Sequence, residues 1–433
     1  MRAPRSLHDE GPNRRRVFPD YAYGMTVTSR TDSGEAEAQS QAFGPRIFLL
    51  SLLMAFGPMS TDMYLPSMPA LGQAFGASST EVQMTLSTFL LGFGIAQLFW
   101  GPLGDRFGRR GPMTVGILLY LIGSAGCTLA GSIGVMIAWR FVQALGACAP
   151  LVLARAMVRD LFSGVRAVRM MSVLMLVAGI APLLAPIVGG QMLLFAGWRA
   201  IFGVQMGFGI VALAGIFVLG ETLPPERRPR IRAREMALNY IEIARDRRFI
   251  GYMLCGAFFY GAVFAYLAGT PFVYITYFGL PPQYYGLIFG SNVVGMMSMN
   301  MLNTRLVGRY GVDLMLKIGC LVSAGATLTL LGTAATGFGG IYGIAVPIFV
   351  FISMIGFVTA NAMAGALSAF PQKAGTASAF AGCAQFTFGS VAGAAVGWCY
   401  TGTALAMAAI MAVCGVFTAI SNLYFVRGRA GEA

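Results

Sequence analysis

Charge is what this sequence has least of. Only 11% of its 433 residues are Asp, Glu, Lys or Arg, where a soluble chain carries about 25%. Histidine is nearly absent: the single one, His8, sits in a polar N-terminal stretch. No GxSxG elbow, Ser-His pairing or Walker GxxxxGK[ST] loop occurs, which argues against an enzyme and against direct use of ATP. Seven cysteines are present (Cys127, Cys148, Cys255, Cys320, Cys383, Cys399 and Cys414), all in apolar stretches and none in a CxxC pair. Neither a disulfide framework nor a metal site is expected from that spacing, and no cofactor is expected. No short apolar segment with a small-residue cleavage site precedes the first long apolar run, so a cleavable signal peptide is not expected.

What fills the space is hydrophobic, at 57% of the chain. A membrane helix takes about 20 apolar residues, and such runs recur throughout. Twelve spans are expected, at 46–67, 82–101, 112–130, 134–157, 170–194 and 199–219, then 249–272, 285–303, 314–334, 340–367, 375–398 and 402–425. The fold class is therefore all-α integral membrane. Residues 1–45 read as a disordered tail and 426–433 as a short second tail. Residues 220–248, with ETLPPERRPRIRARE near their head, read as a linker between six-helix bundles at 46–219 and 249–425.

The net charge of +13 does not call for nucleic acid, because the basic residues follow a topological pattern. With even-numbered loops and both termini on one side, 28 of the 30 Lys and Arg residues fall on that side; Arg140 and Arg199 are left over. The positive-inside rule then places both termini of a multi-pass membrane protein in the cytoplasm.

Ionisable groups inside a bilayer are costly and mark function by default. Asp62 is the one acid within a span, in STDMYLPSMP of the first, and Arg140 is the one base well inside a span, in the fourth. Pro66 and Pro69 are expected to end or bend the first helix. Water exclusion favours a protonated acid and a nearby cation favours the carboxylate, so Asp62 suits proton uptake and release, with Arg140 as a cavity-facing cation able to pair with Asp62 or a substrate.

Several segments carry a resemblance. GPLGDRFGRR (101–110) and RFVQALGA (140–147) resemble motifs of the major facilitator superfamily, whose architecture is a repeated six-helix unit; TRLVGRYG (304–311) weakly repeats GPLGDRFG (101–108). APIVGG (185–190) is similar to the antiporter motif, with Ala185 where glycine is usual. STDMYLP (60–66), ARAMVRD (154–160), GWRAIF (197–202), ETLPPERR (221–228), TPFVYI (270–275) and NAM…FPQKAGTASA (361–379) resemble the bicyclomycin-resistance (Bcr/CflA) subfamily of drug/proton antiporters. The resemblance implies two bundles that alternate access, export of a small amphipathic drug or metabolite in exchange for protons, Asp62 as the proton-coupling carboxylate with Arg140 as its partner, and the 101–110 loop as a latch. A proton symporter for uptake on the same fold is the alternative. Two positions depart: Met54 stands where some relatives carry a second acid, and Gly308 stands at the second-half equivalent of Asp105.

Physical readings accompany these motifs. In the latch, Gly101, Gly104 and Gly108 permit a tight turn. Asp105 is suited to a helix N-terminus, with the start of the eleventh span near Gly375 and Thr376 as the candidate. Arg106, Arg109 and Arg110 can hold carboxylates or carbonyls. Pro182, Pro186, Gly189 and Gly190 bend the fifth helix and let it pack closely. Tyr64, Gln143, Tyr260, Phe264, Asn292, Asn361 and Gln385 are candidates for a substrate cavity, an apolar pocket with a few polar groups. Partners are expected to be the substrate, protons and the lipid bilayer, without nucleic acid, and the working unit a monomer.

Overall fold

The helices form where the apolar runs predict them, and they outlast those runs. The structure, a computed structural model, describes residues 48–228 and 233–426. The expected N-terminal tail, residues 229–232 of the linker and nearly all of the C-terminal tail lie outside the described residues. No strand occurs among the described residues. Among the described residues, nine helices are long and apolar enough to cross a membrane, ten when the bent pair Phe48–Met54 and Phe56–Phe75 counts as one span, α1. Two further points bring the number to twelve. Met170–Leu219 runs for 50 residues, or about 75 Å of helix at 1.5 Å per residue, far beyond a bilayer core of about 30 Å. Gly197, at φ 73° inside Gly164–Leu219, divides this stretch into α5 (164–196) and α6 (198–219). Pro282–Tyr310 has length enough at 29 residues, but Asn292, Asn300, Asn303 and Arg305 lower its apolarity.

The other spans are α2 (Ser79–Phe107), α3 (Arg110–Leu129), α4 (Ile133–Leu161), α7 (Arg247–Tyr277), α8 (Pro282–Tyr310), α9 (Val312–Thr336), α10 (Gly340–Ser368), α11 (Pro371–Trp398) and α12 (Leu405–Val426). Their starts are capped as the sequence allows. Ser78 and Glu81 form a reciprocal capping box on α2, and the Asp246 carboxylate accepts from the Phe249 N–H on α7. A linker helix, Ala233–Arg245, lies between α6 and α7.

The first span differs from its expected limits. Helical structure continues past Pro66 and Pro69 to Phe75, through a 3-10 turn at Leu65–Ser67. Both prolines sit in the first turn of a new helical segment, where a missing N–H costs nothing. The sharp bend of 45° falls earlier, at Ala55. Asp62 therefore lies near the middle of α1 rather than towards its end. Cys399 also differs: it is exposed, just beyond the end of α11.

The described residues form one compact unit, because the two six-helix sets are packed tightly at one end. There the Thr80 hydroxyl donates to the Gly397 carbonyl at 2.7 Å, and Ser390 donates to the Ser87 carbonyl at 2.7 Å, joining α2 to α11. A Cβ on Gly286 of α8 would stand 2.8 Å from the Ile187 Cα of α5, so glycine lets α8 and α5, from opposite sets, meet there. Towards the Arg109 end the same pairs part. The neighbour of Gly101 is Val152 of α4 rather than α11, Gly375 has no atom within 4 Å of where its Cβ would be, and Gly179 of α5 meets only the Met297 side-chain end at 3.8 Å. The linker helix touches both sets at this end: Tyr240 donates to the Leu98 carbonyl of α2 at 3.2 Å, and Lys373 of α11 pairs with Glu242 at 2.5 Å.

Candidate functional site: a cavity with one carboxylate

Between the two sets lies a cavity of about 290 Å³, mainly apolar. Gly57, Pro58, Thr61 and Asp62 of α1 form part of its wall, with Phe89 and Phe93 of α2, Leu151 of α4 and Pro182 of α5. The other set supplies Tyr260, Phe264 and Tyr266 of α7, Phe289 and Asn292 of α8, and Phe386 of α11. This composition suits a small aromatic or amphipathic guest held by a few polar groups.

Asp62 is 6% exposed. Its carboxylate accepts from the neighbouring Thr61 hydroxyl at 2.8 Å. Among the described residues no cation pairs with it. Arg140, the expected partner, is directed elsewhere. Its Nη1 donates to the Ser60 carbonyl at 3.0 Å and to Gln143 Oε1 at 2.7 Å. Its guanidinium lies between the rings of Tyr64 and Phe89, 4.5 and 4.3 Å from their centroids. Arg140 is fully buried and does not line the cavity. The reason is local. The α-helical pattern of α1 stops at Thr61, leaving carbonyls in need of donors. Arg140 serves that of Ser60, and Gln205 of α6 serves that of Met59 at 2.8 Å. Gln143 completes the network by donating to Ser124 and to Gln205, both at 2.8 Å. Arginine and glutamine thus hold open the helix break that presents Asp62.

The cavity candidates divide. Tyr260, Phe264 and Asn292 line it, and Asn292 donates to the Tyr266 hydroxyl at 3.0 Å. Tyr64 and Gln143 do not: both are buried beside Arg140, and Tyr64 is hydrogen-bonded to Thr85. Asn361 is committed to Asn303 and the Phe357 carbonyl, at 2.9 and 2.8 Å. Gln385 packs against Gly256 of α7 outside the cavity wall. In the α5 motif, Pro182 reaches the cavity, Gly189 meets Met63, and Gly190 approaches the Pro282 carbonyl. Pro186 is not in the cavity wall.

The 101–110 loop is built differently from its expected form. Asp105 is not held at the start of α11; it accepts from Arg109 Nη1 at 2.6 Å. Arg109 Nε also donates to Asp160 of α4 at 2.8 Å. Burial alone would strip charge from Arg109, but the two carboxylates outweigh it and hold the proton more firmly than usual. Glu221, just after α6, accepts from the backbone N–H groups of Arg109, Arg110, Thr222 and Leu223. Burial would push its carboxyl up; those donors and Arg228, 3.6 Å away, hold it below the usual carboxylate range. Gly108 has φ 89°, and a Cβ there would stand 2.4 Å from Glu221 Oε2. A Cβ on Gly104 would meet Leu153 at 2.3 Å. Arg106 and Arg110 lie over the rings of Phe107 and Phe217, at 5.2 and 4.9 Å.

No role was expected of Gln205, Asp160 or Glu221. Gln205 had a usable signal, an amide within the otherwise apolar sixth span, and Asp160 and Glu221 are the acids of ARAMVRD and ETLPPERR.

Twelve spans in two sets around a central apolar cavity define a membrane transporter fold. Residues 50–394 match the Major Facilitator Superfamily, and the chain belongs to that family. The bicyclomycin resistance protein homolog of Haemophilus influenzae is 35% identical over 384 residues, which cover 88% of this chain and 96% of that protein. The chloramphenicol resistance protein of Pseudomonas aeruginosa is 30% identical over 77% of this chain and 79% of its own length. Among solved structures, the partially occluded inward open xylose transporter XylE of E. coli superposes with a TM-score of 0.71 at 16% identity, covering 90% of this chain and 99% of that one.

Proposed function

We propose that this protein exports small amphipathic molecules from the cytoplasm in exchange for protons, by alternating access to the central cavity. The observation that carries this reading is the lone carboxylate of Asp62, buried in the cavity wall without a cationic partner among the described residues. An acid so placed can exchange its proton with a guest that shares the same space. The relatives named for resistance to bicyclomycin and to chloramphenicol support export of drug-like guests.

Arg140, Gln143 and Gln205 support the geometry of α1 around Asp62. The 101–110 loop with Asp160 and Glu221 works as a latch at the cytoplasmic face. That assignment follows the basic residues, which places both termini and the 220–248 linker inside, in the bacterial inner membrane. The end closed around Thr80 and Gly397 then faces outward, so the cavity is in an inward-facing arrangement. The protein acts as a monomer of two bundles, 46–219 and 249–425, with lipid and protons as its other partners and no role for nucleic acid.

The test is a pH-gradient assay in inverted membrane vesicles, with bicyclomycin and chloramphenicol as probes. An exporter of this kind releases protons from the acid-loaded lumen when a substrate is added. Uptake by symport would give no such release and would replace the present reading.

A further inference from the structure

The fourth span carries two cations that the machinery described so far does not use. On α4, residues Leu151, Arg155 and Arg159 are spaced four apart, so they stand on one helix face at about 6 Å intervals. Leu151 lines the cavity. Arg155 and Arg159 are exposed, while the residues between and beside them (Leu153, Ala154, Ala156, Met157 and Val158) are buried. Neither arginine has a carboxylate within ion-pair distance among the described residues; Asp160, the nearest acid in sequence, is taken by Arg109. Arg155 lies within electrostatic reach of Tyr260, a cavity residue contributed by the opposite helix set. It therefore stands between the two sets, one turn beyond the cavity on the side where α2 and α11 part.

We propose that Arg155 is a specificity-determining residue: it binds the anionic group of a substrate at the open mouth of the cavity, with Arg159 drawing such molecules in. The inference rests on reading that cavity as the transport site. The favoured guest is an aromatic or amphipathic molecule carrying a carboxylate or similar acidic group, its apolar body against Phe264 and Phe289 and its anion on Arg155. An arginine fork suits this role because it presents paired donors to a planar carboxylate. A topological signal for the inner membrane face needs positive charge in the loops; it does not need an arginine that shares its surroundings with a cavity tyrosine.

The experiment is equilibrium binding to the purified full-length protein, using 1-naphthoate and the neutral 1-naphthalenemethanol. Binding is read without any proton gradient, so it stands or falls separately from proton-coupled export. The native protein binds the naphthoate more tightly than the alcohol. Arg155→Gln weakens naphthoate about tenfold, the loss of one charged hydrogen bond, and leaves the alcohol unchanged, while Arg155→Lys restores part of the difference. On the native protein, raising ionic strength from about 0.01 to 1 M, across which screening lengths fall tenfold, lowers naphthoate binding and spares the alcohol; this arm holds even when a variant does not fold. Naphthoate that binds no better than the alcohol to native protein overturns the proposal. So does a ratio that Arg155→Gln leaves unchanged, or one that salt leaves unchanged.

Discussion

The two six-helix sets bring different chemistry to the same cavity. The first contributes the carboxylate of Asp62 and, behind it, the cation of Arg140 in a mesh of amides. The second contributes tyrosine, phenylalanine and asparagine, with no charge in the wall. The repeated loops show the same asymmetry. At 101–110, Arg109 joins two carboxylates and the loop backbone caps a third. At 304–311, Gly308 replaces the acid and has no neighbour within 4 Å of a Cβ; the nearby tie is a hydrogen bond of 2.5 Å from Tyr252 to Asp313. A duplicated architecture requires charge in one copy only. The other copy is then free to shape a binding surface.

The largest expected effect tests that division directly. Asp62→Asn keeps the volume and polarity of the side chain and removes its titration, so substrate-induced proton release from detergent-solubilised protein falls to background while substrate still binds. Release at the wild-type level would place coupling outside the first set. Next comes the latch. Asp160 is less exposed than Asp105, at 15% against 42% of the side chain, and it ties the loop to α4. Asp160→Asn is expected to slow transport about tenfold and Asp105→Asn a few-fold, both at near-normal protein levels, because a buried charged hydrogen bond contributes more than an exposed one. The reverse order, measured in reconstituted vesicles, would mean that Asp105 has a second partner in another state.

On the uncharged side, Phe264→Ala removes an aromatic face that packs 5.4 Å from Phe386. Affinity for an aromatic substrate should drop about fivefold, the scale of one aromatic contact, with the number of protons released per substrate unchanged. A change in that number would blur the assignment of protons to one set and shape to the other. The smallest effect concerns Glu221. Its carboxyl titrates below the usual range in the folded protein, so its contribution to stability is present above the unfolded value of about 4.3 and is lost as pH falls through the folded one. Glu221→Gln should lower the melting temperature by about 2 °C at pH 7, and the gap to wild type should close as the pH drops below 4. A gap that is constant with pH would show that the amide fails by shape rather than by charge.

The spans were legible because each is an apolar run bounded by glycine, proline or charge, and the depth of Asp62 was nearly so. What misled was Pro66 and Pro69: proline ends a helix in its interior and starts one in its first turn, and α1 uses the second property twice. The link from Asp62 to Arg140 failed for another reason. Sequence shows that two opposite charges share a bilayer but not where their side chains point. The guanidinium satisfies a carbonyl and two aromatic faces in α1 and α2, and no periodicity encodes that choice. Tyr64, Gln143, Asn361 and Gln385 are polar groups at membrane depth, where a cavity and a buried network need the same side chains. The α7 aromatics fared better because the helix places Tyr260 and Phe264 one turn apart on the cavity side.

With a single carboxylate in the wall, one turnover carries at most one proton through this route, and the electrical character of the exchange is then set by the guest. A neutral molecule leaving as a proton enters moves one net charge inward, and a monocation moves none. A monoanion moves two. Each charge that crosses gains about 2.3 kcal/mol per 100 mV of membrane potential. The same cavity would thus expel an acid against a steeper gradient than a base of equal size, and when the potential is short-circuited its ability to concentrate an acid outside would fall to what the pH difference alone sustains.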